Sequence, residues 1–140
     1  MNIQEFVDVC KKIALEKIDC RSFYVGNTWD MSNTKGDIYP NCWFEMPILV
    51  EYQITTNLSK QFTVSLDFLT LAKPDNPNDE LLKISEMEDL SDLFLYYLKQ
   101  NADFKLTGLP TGLTLRQMNS DNACGVRIDI RVNTGRKCLK

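Results

Sequence analysis

The 140-residue chain contains no histidine. That absence removes the side chain that most often acts as a general base near neutral pH, the Ser-His and Cys-His nucleophile pairs, and the commonest transition-metal ligand. The five cysteines, Cys10, Cys20, Cys42, Cys124 and Cys138, are odd in number and include no C-x-x-C pair. Such spacing suggests neither a disulfide framework nor a zinc ribbon, and reduced thiols in a cytosol fit it best. Nowhere does an uncharged apolar run reach the length of a membrane span, and the opening MNIQEFVDVCKKIALEK is charged throughout. Neither a signal peptide nor a membrane-spanning helix is therefore expected. There is no internal repeat, no low-complexity tract and no Pro-, Gly- or Ser-rich linker, so one domain over residues 1–140 is expected. An excess of positive charge is also missing. The net charge is -3, whereas holding nucleic acid by broad phosphate neutralisation needs a basic surface.

What is present is ordinary globular composition, with 44% hydrophobic and 25% charged residues. Ile3, Phe6, Val7, Cys10, Ile13, Ala14 and Ile18 recur at three- and four-residue steps, which predicts a helix over about 2–19 with one apolar stripe. Residues 26–40 are rich in turn formers and predict a long loop, a candidate contact surface. From Cys42 the even positions Cys42, Phe44, Met46, Ile48, Val50, Tyr52 and Ile54 are all apolar. This period of two predicts one strand over 42–54 with those residues inward, and an edge, bend or bulge at Pro47. TTNLSK reads as a hairpin connection to a second strand with Phe62, Val64, Leu66 and Phe68 inward. Asn78 or Asp79 is a candidate cap for a helix or helix pair over about 79–101. KLTGLPTG reads as turns leading to a weak strand at 113–118, before a last strand with Val126, Ile128, Ile130 and Val132 inward. The order predicts an α+β fold: a mainly antiparallel sheet of four or five strands packed against two helices.

Candidate chemistry is thin. Glu45, Glu51, Asp67 and Asp129 fall on outward strand faces and are candidates for a carboxylate-only site, but Arg127 and Arg131 share those faces and explain them as cross-strand charge pairs. DNPNDELLKISE lacks the glycine and the third ligand of a calcium loop, and GLPTG has no following Lys and Ser or Thr to cradle phosphate. The Asn57 sequon has no secretory context and reads as chance. No catalytic residue, cofactor site or metal site is expected. Two charge asymmetries remain. Asp79, Glu80, Glu86, Glu88, Asp89 and Asp92 crowd the second helix, where those early in the helix suit its dipole, and Arg127, Arg131, Arg136, Lys137 and Lys140 make the end of the chain basic.

The linear order of an N-terminal amphipathic helix, YPNCWFEMPILV, LDFLTLAKPDNPND, LSDLFLYYLKQ and ACGVRIDIRV resembles the small neck and tail-completion proteins of tailed bacteriophages, the tail-terminator-like ring subunits. The resemblance implies a structural virion protein assembled in the host bacterial cytoplasm. Copies of it would close into a ring at the neck or tail end, joining connector to tail tube and contacting other neck or tail proteins. The genome would pass through without specific binding, and neither membrane, cofactor nor catalysis is implied. No residue has a role fixed by the family. Closed rings need unlike complementary surfaces on each subunit. The candidates for this assembly interface are Trp29, Lys35 and Tyr39 in the long loop and Arg136 and Lys137 near the end, with the acidic helix as their counterpart. The competing readings are a small cytosolic adaptor or immunity-type binding module, which would use the Trp29–Tyr39 patch, and an enzyme using carboxylates alone.

Overall fold

The first helix forms where the apolar stripe begins. In the computed structural model, which describes residues 2–33, 36–55 and 57–138, Asn2 caps helix α1 (Ile3–Lys12) by accepting the amide hydrogen of Glu5 at 2.9 Å. The helix runs on into a π-helical turn, Ile13–Lys17. Helix α3 (Pro77–Lys99) starts two residues earlier than the spacing suggests, because Asn76 supplies the cap, accepting from the Asp79 amide at 3.1 Å, and Pro77 fills the first position, where no amide hydrogen is needed. It is one uninterrupted helix. Ile84, Met87, Ser91, Phe94 and Leu98 form its buried stripe.

The fold is α+β, with a six-stranded, largely antiparallel sheet. Its strands are β1 (Ser22–Gly26), β2 (Asn41–Glu45), β3 (Leu49–Ile54), β4 (Asn57–Thr70), β5 (Lys105–Leu115) and β6 (Cys124–Cys138). The order is β1-β2-β4-β6-β5, with β3 also paired to β4. Only β1 and β2 run parallel. The sheet thus has a strand more than expected, the short run at Phe23–Val25 having joined the edge of β2.

Several sequence expectations are corrected. The single strand over 42–54 is two strands: β2 pairs with residues 66–69 and β3 with 58–63 of β4, and the chain steps off the ladder around Pro47, which has no amide hydrogen to give. KLTGLPTG is not a connection. It lies inside β5, where a register shift between Thr107 and Thr111 and a positive φ of 68° at Gly108 absorb its turn residues as a bulge. The loop over 26–40 contains the short helix α2 (Thr28–Asn33). The basic tail from 133 is likewise strand, since β6 pairs with β4 as far as Cys138.

The core lies between the sheet and the layer made by α1, the π turn and α3. Cys42, Phe44, Phe62, Val64, Leu66, Phe68, Val126, Ile128, Ile130 and Val132 meet Phe6, Cys10, Phe94 and Leu98. Phe6 is the hub, with ring centroids 6.0 Å from Phe44, 5.8 Å from Phe62 and 5.3 Å from Phe104. Burying each such ring contributes roughly 1.5–3 kcal/mol. At Gly125 the ladder is so close that a Cβ would collide with the Phe68 carbonyl. A smaller cluster sits on the opposite face at one end, where Met31, Trp43, Leu69, Leu115 and Ala123 pack together beneath α2 and the 116–123 turn.

Not every residue expected inward is covered. Cys42 and Phe44 are buried, but Met46, Tyr52 and Ile54 are 38%, 62% and 69% exposed, and Ile48 and Val50 are only half-buried. The alternation of side chains continues through β3, while the helical layer does not reach its far end.

Candidate functional site

Two features bear on function: a charged cluster on the face of the sheet away from the helices, and an open end of the sheet. The cluster follows from register. Asp67 and Arg127 are Cα partners across β4 and β6, and Glu45 at the end of β2 lies on the same face. Arg127 Nε donates to Asp67 Oδ1 at 2.9 Å, and its terminal nitrogen donates to Glu45 Oε1, also at 2.9 Å. Asp67 is fully buried, and its second oxygen has no hydrogen-bond partner among the described residues. One guanidinium therefore faces two carboxyl groups. Burial first, and then the neighbouring Glu45 carboxylate, push Asp67 up to about 8, with Arg127 pulling the other way. A proton on the orphaned oxygen balances the charge. Two carboxyls with unlike environments are the arrangement expected of an acid and base pair. Here, however, the acid has no exposed surface to offer a substrate. Two cavities on this face, one of about 300 Å³ lined by Thr63, Leu109, Thr111, Asp129 and Arg131 and one of about 160 Å³ lined by Glu51, Gln53, Ser59 and Gln61, do not include it. Ser65 Oγ hydrogen-bonds to Asp129 beside it. The cluster clamps β2, β4 and β6 together.

Four of the five cysteines carry no exposed chemistry. Cys10, Cys20, Cys42 and Cys124 are free and buried, and burial raises the thiol pKa of each, that of Cys20 to about 12. Among the described residues no group of three or more His, Cys, Asp or Glu is placed to hold a metal ion.

The structure separates the residues that the sequence nominates for assembly. Trp29 is 71% exposed on α2. Tyr39 is half-buried with its hydroxyl committed: it donates to Asp121 Oδ2 at 2.9 Å and accepts from Asn119 Nδ2 at 2.7 Å, so it ties the 36–40 segment to the turn after β5. Burial raises its pKa. Lys35 lies outside the described residues. Arg136 and Lys137 pair with Ser59 and Leu58 at the other end of the sheet. Eleven residues of β4 separate that end from Leu69, the partner of Asn41, a distance of roughly 35 Å at strand rise. Loop and basic end are thus two surfaces.

The second feature is the end of the sheet that carries Arg136 and Lys137. Leu49, Tyr52 and Ile54 of β3 are 58%, 62% and 69% exposed, and among the described residues no strand pairs with the outer edge of β3. Sequence reasoning missed this surface because its residues fit the inward pattern. The signal available was the length of β4 and β6, 14 and 15 residues, which outrun the helices above them. On the far side of the helical layer, Leu81, Leu82, Leu93 and Tyr96 of α3 are exposed among its acids. No helix is long and apolar enough to cross a membrane among the described residues. No protein-family model matches the chain, and comparison with curated proteins gives no match.

Proposed function

We propose that this protein is a structural subunit of the neck or tail end of a tailed bacteriophage, a tail-terminator-like protein whose copies join in a ring between connector and tail tube. The observation that carries the reading is the open end of the sheet. Exposed apolar side chains on a strand whose outer edge no described strand pairs are a liability that proteins normally cover or charge, and Leu49, Tyr52 and Ile54 have Glu51 as the one charge in their strand. An assembly subunit has a use for such an edge. The sealing of Asp67 supports the same reading, because the one carboxyl with a strongly displaced pKa is out of reach of any substrate.

Cryo-microscopy of purified particles of the phage that encodes the chain is the test. The expected result is several copies arranged around the tail axis, with the β3 end at a contact between subunits. A second reading, the monomeric adaptor, draws on Trp29, whose indole stands 71% exposed on α2. Absence of the protein from particles, together with a host complex holding a single copy, decides for the adaptor.

A further inference from the structure

The open face of β3 and β4 has a fixed composition. Register places Val50, Tyr52 and Ile54 of β3 on the same side as Phe62, Lys60 and Leu58 of β4, the side on which the helices lie. Phe62 is buried under α1 and Val50 is half-covered, but Tyr52 and Ile54 have no helix above them. The sheet therefore continues past its own helical layer, leaving an apolar shelf on which β4 places Lys60 and β6 sets Lys137 opposite Leu58.

Helix α3 has the complementary surface. Leu82, Glu86, Asp89, Leu93 and Tyr96 follow at steps of four, three, four and three, so they form one stripe on the side away from the buried Ile84, Met87, Phe94 and Leu98. All five are exposed. The stripe has apolar residues at both ends and acid in the middle, with Glu88 and Asp92 beside it.

We propose that the shelf formed by Tyr52, Ile54, Leu58 and Lys60 receives the outer stripe of α3 from a second copy of this chain. This rests on the ring reading and names the two surfaces that make the ring contact. A neighbour's helix laid on the shelf extends the layer that α1 and α3 begin. Charge selects this pairing over the alternatives. Shelf against shelf sets Lys60 against Lys60, stripe against stripe sets Glu86 and Asp89 against their equivalents, and only shelf against stripe brings opposite signs together. Because the two surfaces differ, the contact is head-to-tail, as closure into a ring requires.

The test uses the full chain with a cysteine at one exposed position on each surface, Ile54→Cys in one preparation and Asp89→Cys in another. Mixed under mild oxidation at high concentration in a Cys138→Ser background, the two should cross-link to each other roughly tenfold more than either does to itself, since Cys10, Cys20, Cys42 and Cys124 are buried. The double variant Ile54→Cys/Asp89→Cys should give a ladder of oligomers. Charge variants provide an independent measure by sedimentation. Lys60→Glu and Asp89→Lys should each weaken self-association by roughly fivefold, and the two together should recover most of it. Oligomers or particle rings in which position 54 links only to position 54, or to no α3 residue, overturn the proposed contact and leave the ring reading standing. A chain that is monomeric at every concentration and absent from particles overturns both.

Discussion

At one end of the long ladder between β4 and β6, Phe68 and Val126 lie beneath α3; at the other, Tyr52 and Ile54, beside the half-buried Leu58, stand exposed. Both ends belong to the same pair of strands, although a register shift between Ser59 and Gln61 interrupts the ladder near the second. They differ in whether a second layer covers them. The comparison teaches that a period-two pattern fixes the direction in which a side chain points, while burial depends on what happens to stand there.

The covered end should be intolerant of change. Gly125→Ala places a methyl group against the Phe68 carbonyl, where backbone rather than a flexible side chain must yield, and is expected to cost more than about 4 kcal/mol or to abolish soluble expression. Urea unfolding or, failing that, the yield of folded protein reads this out. Phe68→Ala removes a ring whose centroid is 5.4 Å from that of Phe94 and is expected to cost about 3–5 kcal/mol by the same measurement. A cost below about 1 kcal/mol for either would mean that this end is not the core.

The charged cluster lies on the opposite face of the covered end, where Asp67 and Arg127 adjoin Phe68 and Val126, and tests how firmly the strands are clamped. Arg127→Met leaves Glu45 and Asp67 facing each other without a cation and should cost about 2–3 kcal/mol at pH 8, less at pH 5, where the pair can hold a proton. Asp67→Asn addresses the proton directly. Burial pushes the carboxyl up to about 8 in the folded protein, against an ordinary value of 3.8 when unfolded, so between those values the folded state binds the extra proton and stability falls as pH rises. The stability associated with Asp67 is therefore greatest below about pH 4 and is lost by about pH 8. With Asn at this position that slope should vanish, making the variant more stable relative to the parent at pH 9 than at pH 5. Denaturation curves of both proteins across that range are the check, and parallel pH profiles would show that Asp67 does not carry the proton.

The uncovered end should show the smallest effect. Ile54→Ala is expected to change the stability of the isolated chain by less than about 0.5 kcal/mol, because its side chain is 69% exposed. Its consequence belongs to assembly. A large loss of stability in dilute monomer would show that the shelf is part of the subunit's own core.

Sequence by itself determined the local elements for which the physics is local. The three- and four-residue steps from Ile3 to Ile18 specify α1 and its continuation, and the alternation from Phe62 to Phe68 and from Val126 to Val132 specifies β4 and β6 together with their inward faces. The cross-strand pairing of Asp67 and Arg127 was legible as well, since both stand on outward positions of strands that the α+β layout brings together. Other features were not legible. Phe23–Val25 became a parallel strand because β2 offered it an edge, a relation across the unpatterned 26–40 segment. KLTGLPTG became strand because pairing with β6 outweighs the local preference of its glycines and proline for turns. The turn-rich sequence around Tyr39 suggests a contact surface, but Asn119 and Asp121, about eighty positions away, occupy its hydroxyl. Tyr52 and Ile54 carry the same inward pattern as Cys42 and Phe44, and tertiary structure alone decided that the helices cover one pair and leave the other bare. The reason is one of extent: a strand's alternation repeats for as long as the strand continues, whereas helices of fixed length, anchored on Phe6 and Phe94, cover only part of it.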